Sequence, residues 1–175
     1  MKHALCLILA LVMLCGLCGC HYREGGDILE PVEFYYPRVT KHFVYGAQDG
    51  VLTAEVREAS GHVNDLSYLI TMYLRGPQSA NLRSPFPADC KLEEIRTGGN
   101  TLCIVLSGEF AELEGLEQTI ACAALAKTCL SLSQMQRIRI DSTSENKTFS
   151  ITLTEDSLLL ADQSAFDAEP AQETE

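Results

Sequence analysis

Leu66, Leu69, Ile70, Tyr73 and Leu74 recur at the three- and four-residue spacing that lines up one face of a helix, and that face has to be buried. Asn64 offers a side-chain oxygen to cap the start, and Asp65 adds a negative charge where the helix dipole favours one. Gly76 followed by Pro77 supplies the stop, since glycine can take the left-handed cap conformation and proline cannot continue a helix. Beyond a proline-pinned loop, Lys91 to Arg96 and Thr101 to Leu106 flank Thr97-Gly98-Gly99-Asn100, which reads as a hairpin. With Thr97 facing Asn100, Ile95 faces Leu102, Leu92 lies on the other face, and Cys103 stands opposite Glu94.

The pattern before and after this stretch is shorter in period or less regular. Val32 to Tyr36 is a β-branched and aromatic run behind Pro31 and ahead of Pro37, as expected of an edge strand. His42 to Tyr45 and Val51 to Val56 flank the turn-rich Gly46 to Gly50 and predict a further hairpin. Leu116 to Leu132 is a second helix, rich in alanine and leucine, with Cys122, Leu125, Cys129 and Leu132 on one stripe and Ala126 beside it. Its small residues predict close approach to a sheet or to the first helix. Met135 to Ile140 alternates as a half-exposed strand, Ser144 to Lys147 is a turn, Phe149 to Leu153 alternates again, and Ser157 to Leu160 closes the domain. The order β-α-β-β-α-β predicts an α+β domain, a small mixed or antiparallel sheet with both helices on one face.

A chain of 175 residues with 46% hydrophobic content suits one domain with short appendages. The formal charge of -11 argues against nucleic acid, whose phosphates want a lysine and arginine stripe. At the amino end, Lys2 and His3 precede the apolar run Ala4 to Leu17, so residues 1–19 read as a secretory signal, too short for the roughly twenty residues of a membrane span. Leu17-Cys18-Gly19-Cys20 resembles a bacterial lipobox, which would make Cys20 the acylated amino terminus. Several hydrocarbon chains at ~0.8 kcal/mol per buried methylene hold where one is marginal. Residues 20–30 then serve as a lipid-proximal linker, 31–161 as the domain, and the acidic 162–175 as a disordered tail.

Several short motifs together resemble the GerM domain family of sporulation and spore-germination lipoproteins. Tyr73-Leu74-Arg75-Gly76-Pro77 is similar to the family's leucine-x-glycine-proline helix end, Ser84-Pro85-Phe86-Pro87 to its proline loop, and Leu106-Ser107-Gly108-Glu109-Phe110 to the L-S-x-E-F that closes its hairpin. Thr128 matches the threonine of its T-L pair, and Met135 with Ile138 falls at the valines opening its last strand. Cys129 and Val105 depart from the usual leucine and aspartate, and both keep or increase burial. The resemblance covers roughly Val32 to Ile140 and implies a fold like the ring-building motif of secretion-system rings, with a role in extracytoplasmic assembly and no implied catalysis.

Candidate chemistry is sparse. Cys122 and Cys129 are two helical turns, roughly 10 Å, apart, so these two with Cys90 and Cys103 are expected to be core residues that neither bridge nor bind zinc. Cys15 and Cys18 would leave with the signal. His21, His42 and His62 lack a catalytic spacing, and Ser107 with Glu109 lacks the glycines of a nucleophile elbow, so no catalytic residue, cofactor or metal site is expected and the chain is read as a non-enzyme. Phe34, Tyr35 and Tyr36 on the first strand are the expected partner contacts. The expected role is an assembly module in sporulation or germination, lipid-anchored on the outer face of the cell membrane and docking another envelope or sporulation protein. The alternative is an envelope enzyme or a lipoprotein that binds a small ligand or peptidoglycan.

Overall fold

A computed structural model describes residues 30–39 and 51–161, with side chains through Leu158. The signal 1–19, Cys20, nearly all of the linker, His21, the strand expected at His42 to Tyr45 with its Gly46 to Gly50 loop, and the tail 162–175 lie outside the described residues.

The elements in order are β1 (Pro31–Pro37), β2 (Leu52–Glu58), α1 (Leu66–Leu74), β3 (Leu92–Gly98), β4 (Thr101–Leu106), α2 (Gly115–Leu132), β5 (Arg137–Thr143) and β6 (Thr148–Thr154), with short 3-10 turns at Gly108–Phe110 and Glu155–Ala161. The class is α+β, as the hydrophobic pattern predicts. The strands divide into an antiparallel ribbon β1-β2 and a four-stranded sheet ordered β3-β4-β5-β6, in which β4 and β5 run parallel. The strand of Val51 to Val56 therefore pairs with β1, a partner that local hairpin reasoning does not supply.

Helix α1 starts one residue later than its first capping candidate: Asp65, not Asn64, accepts the Tyr68 N–H at 3.0 Å. Its end is the expected one, with Gly76 at a φ of 91° and its N–H bonded to Tyr73 O at 3.0 Å. The β3-β4 turn is also displaced by one residue. Gly98 faces Thr101 and Gly99 takes a φ of 57° at the first central position, where glycine meets no steric penalty. Ile95 consequently faces Ile104, Cys103 faces Arg96, and a bulge between Leu92 and Glu94 returns Leu92 to the inner face opposite Leu106.

Three inner rows cross the large sheet, Leu92-Leu106-Ser142-Phe149, Ile95-Ile104-Ile140-Ile151 and Thr97-Leu102-Ile138-Leu153. Helix α1 packs over β3 and α2 over β5 and β6, so both helices cover this one face. Helix α2 is buried on two sides: Cys122, Leu125, Ala126 and Cys129 enter the main core, while Ala123, Ala124 and Ile120 pack against Leu52 and Tyr35 of the ribbon. Its alanines are the means of that double approach, because a larger side chain on either side would hold ribbon and sheet apart.

Candidate functional site

The aromatic residues expected on a free edge are placed otherwise. Phe34 and Tyr36 are completely buried, their rings 5.5 and 4.7 Å from that of Tyr73 on α1, and the Tyr36 hydroxyl donates to Tyr73 O at 2.7 Å. Tyr35 points to the other side, half-buried, with Lys127 Nζ 4.9 Å from its ring and its hydroxyl donating to Glu33 at 2.8 Å. Burial first, then the Glu33 hydrogen bond and charge, push its phenol up to about 12.

The edge of β1 away from β2 is occupied as well. Ser131 Oγ donates to Glu33 O at 3.3 Å, Tyr35 N donates to Thr128 Oγ1 at 2.9 Å, and Tyr73 Oη donates to Tyr35 O at 2.6 Å. Arg83 N then donates to Pro37 O and Val39 N to Asn81 O, each at 2.9 Å. Helix hydroxyls and a loop thus take the place of a neighbouring strand, and this edge has little left to offer a partner. The reading of Phe34, Tyr35 and Tyr36 as an exposed docking edge is corrected on that ground. A strand's own sequence does not reveal which distant hydroxyls meet it.

Sequence reasoning also passes over a buried ion pair. Arg57 lies between the rings of Phe34 and Tyr36, 5.2 and 5.6 Å from their centroids, and its guanidinium bonds to Glu55 (2.6 Å), Gly76 O (2.6 Å) and Met72 O (3.3 Å). Glu55 in turn accepts the backbone N–H groups of Gln78 and Ser79. Burial pulls the Glu55 carboxyl upward, but those two N–H groups and Arg57 outweigh it and hold it below the usual carboxylate range. The pair clamps the end of α1 to β2. Its only signal in the sequence is an acid and a base two apart in a strand.

The open surface is the outer face of the large sheet, which neither helix covers. Its rows are Glu94-Val105-Asp141-Ser150 and Arg96-Cys103-Arg139-Thr152, followed by Gly98-Thr101-Arg137-Thr154. Asp141 accepts from Ser150 Oγ (2.6 Å), Arg139 Nε (3.0 Å) and Cys103 Sγ (3.3 Å). Burial raises its carboxyl, and these donors with the Arg139 charge bring it below the ordinary value. The Cys103 thiol is raised, by burial first and then by Asp141, which favours its protonated form. Such a face can recognise polar and charged groups on a protein surface.

On the covered side, an apolar groove of about 420 Å³ runs between α2 and β6, lined by Leu116, Ile120, Ala123, Ile151, Leu153 and Leu158 among others. Gln118 Nε2 lies in its wall, buried and without a hydrogen-bond partner. Cys90, Cys122 and Cys129 are buried and Cys103 half-buried, all as free thiols. No group of three or more His, Cys, Asp or Glu among the described residues is placed to hold a metal ion. His62 stacks on Tyr68 at 4.0 Å.

The motif residues turn out to build the fold. Ser107 Oγ accepts the Lys91 N–H at 2.9 Å and Ser107 O accepts from Ser142 Oγ at 2.7 Å. Phe110 is completely buried between Phe86 and Phe149. Thr128 accepts the Tyr35 N–H of β1. A family model described as Germane, sporulation and spore germination, matches residues 33–147. The chain belongs to that family. The Germane match starts inside β1 and ends in the turn before β6, so it takes in the ribbon, both helices and all but the last strand of the large sheet. It is the family to which the GerM-like motifs point. No curated protein matches the chain. A solved Clostridium perfringens protein, provisionally described as a lipoprotein, resembles it at 17% identity and a TM-score of 0.46, over 77% of this chain and 93% of that one. No helix among the described residues is long and apolar enough to cross a membrane.

Proposed function

We propose that this Germane-family protein is a non-enzymatic assembly module of sporulation or spore germination, tethered through Cys20 to the outer face of the cell membrane and docking another envelope protein. The observation that carries the reading is the division of labour across the large sheet. One face and the family's motif residues are consumed in packing, and the opposite face presents Arg96, Arg137, Arg139 and Glu94 to solvent around the half-buried Val105. A polar, charged face of this kind suits recognition of a protein surface.

Reversing Arg96→Glu and Arg137→Glu together in the full chain is expected to leave the melting temperature within a few degrees and to cut recovery of co-purifying envelope proteins from sporulating cells at least tenfold. Unchanged recovery overturns the face as the docking surface. The groove beside α2 is the one observation favouring the alternative of a small-ligand lipoprotein. Its lining is apolar with a single unpartnered amide, short of the convergent polar groups that usually orient a ligand. Native mass spectrometry of the full chain extracted from membranes tests it: a retained non-covalent adduct, lost on Ile120→Trp, would favour the receptor.

A further inference from the structure

The exposed strand edges are guarded unequally. β2 carries Glu55, Arg57 and Glu58, and β3 carries Glu93, Glu94 and Arg96 with a bulge, which are the usual devices against edge-to-edge pairing. β6 has none of them. Its sequence, Thr148-Phe149-Ser150-Ile151-Thr152-Leu153-Thr154, holds no charge and no proline, and it pairs with β5 in continuous register along its whole length. On a chain with a formal charge of -11 such a neutral edge stands out.

The orientation of its backbone follows from the hairpin. Ser144 N bonds to Lys147 O at 2.8 Å, so Phe149, Ile151 and Leu153 turn their N–H and C=O groups to β5, and Thr148, Ser150 and Thr152 turn theirs outward. Thr154 N also points outward and is already bonded to Ser157 Oγ at 3.2 Å, which closes that end. Among the described residues, no hydrogen bond meets the outward backbone groups of Thr148, Ser150 and Thr152, a stretch centred on Ser150.

We infer that β6 pairs antiparallel with β6 of a second copy of this chain, about a two-fold axis at Ser150, to make a continuous eight-stranded sheet. In that register Ser150 meets Ser150, Thr148 meets Thr152 on the outer face, and Phe149 meets Ile151 on the inner face. Hydroxyls face hydroxyls and apolar groups face apolar groups. Two-fold pairing sets a strand against its own reverse, so a charged strand risks placing like charges opposite each other, and β6 has no charge to oppose. The inner-face contact continues the apolar groove, whose rim residue Leu116 is 72% exposed. An edge contact alone is smaller than the ~1,000 Å² of a stable interface, so the pairing is expected where tethering to one membrane raises the effective concentration. The inference rests on the assembly reading and names a partner for it.

The test is cysteine cross-linking of the full chain in membranes of expressing cells. Under mild oxidation Ser150→Cys should shift most of the protein to a dimer, and Glu94→Cys on the opposite edge should not. Should Ser150→Cys fold poorly for want of its bond to Asp141, Thr148→Cys and Thr152→Cys in differently tagged copies should cross-link only when mixed. Monomer in both formats, or equal cross-linking at residues 150 and 94, overturns the pairing. If it is overturned while the chain still recovers another envelope protein, the assembly reading stands alone; if no partner is recovered either, both fall.

Discussion

At Gly108, the variable position of the L-S-x-E-F motif, this chain uses glycine for a steric reason. A Cβ there would lie 3.0 Å from Ser144 Cα and 3.0 Å from Thr143 O, backbone atoms at the end of β5 and in the turn that follows it. Gly108→Ala is expected to cost about 1–3 kcal/mol, measured by urea denaturation. Glu55 makes a second prediction. Its carboxyl is depressed in the folded chain, so its contribution to stability is complete above the ordinary value of 4.5 and drains away as pH falls from there through the lower folded value. Glu55→Gln should therefore flatten the acid limb of stability against pH, leaving the part due to Asp141, and cost about 3 kcal/mol near neutrality because Arg57 stays buried without its partner charge. The thiols make a third. Burial pushes Cys90 and Cys122 up to about 12 and Cys129 higher still, so under native conditions alkylation should reach only Cys103, and in denaturant all four. The core role of Cys90, Cys122 and Cys129 was readable from their spacing; Cys103, also expected in the core, alternates with the buried Leu102 and Ile104 and so lies half-buried on the outer face beside Asp141. The Arg57-Glu55 clamp was not, because its acceptors belong to a helix end distant in sequence.

Among the elements, those specified locally were the legible ones. The face of α1, its Gly76-Pro77 stop and the alternation of β5 and β6 depend on neighbours in sequence. The β3-β4 register slipped by one because both Gly98 and Gly99 tolerate a positive φ, and only packing of Leu92 through the bulge chooses between them. The ribbon was hidden for another reason: β1 finds β2 across residues 40–50 and finds α2 across nearly the whole domain. Thr128 shares that last contact with Ser131. Thr128→Val keeps the shape and removes the acceptor for Tyr35 N, which should cost about 1–3 kcal/mol. The amide of Tyr35 should then exchange with solvent faster, as hydrogen exchange would record. If protection at Tyr35 is unchanged, the hydroxyl is not what seals the β1 edge.

For the molecule as a whole, in chain order, the expected tether would lead into β1 and the neutral edge strand is β6. Cys20→Ala in the full chain should leave the protein unprocessed or release it from the membrane fraction; unchanged association with an uncleaved leader would point to a spanning anchor instead. Between these strands the rings of Phe34, Tyr73, Phe86, Phe110 and Phe149 follow one another at 5.5, 5.3, 6.3 and 5.7 Å, a continuous line from β1 to β6. That line gives the doubly bonded β1 a mechanical meaning. A pull arriving at Pro31 from the membrane would run along the strand, across the bonds to β2 on one flank and those to Thr128, Ser131 and Tyr73 on the other. Bonds set crosswise to a load share it and must fail together, whereas bonds in line with it break in sequence, like a zip. In a pulling experiment with the load applied at Pro31, Thr128→Val should therefore lower the rupture force well before it unfolds the protein at rest.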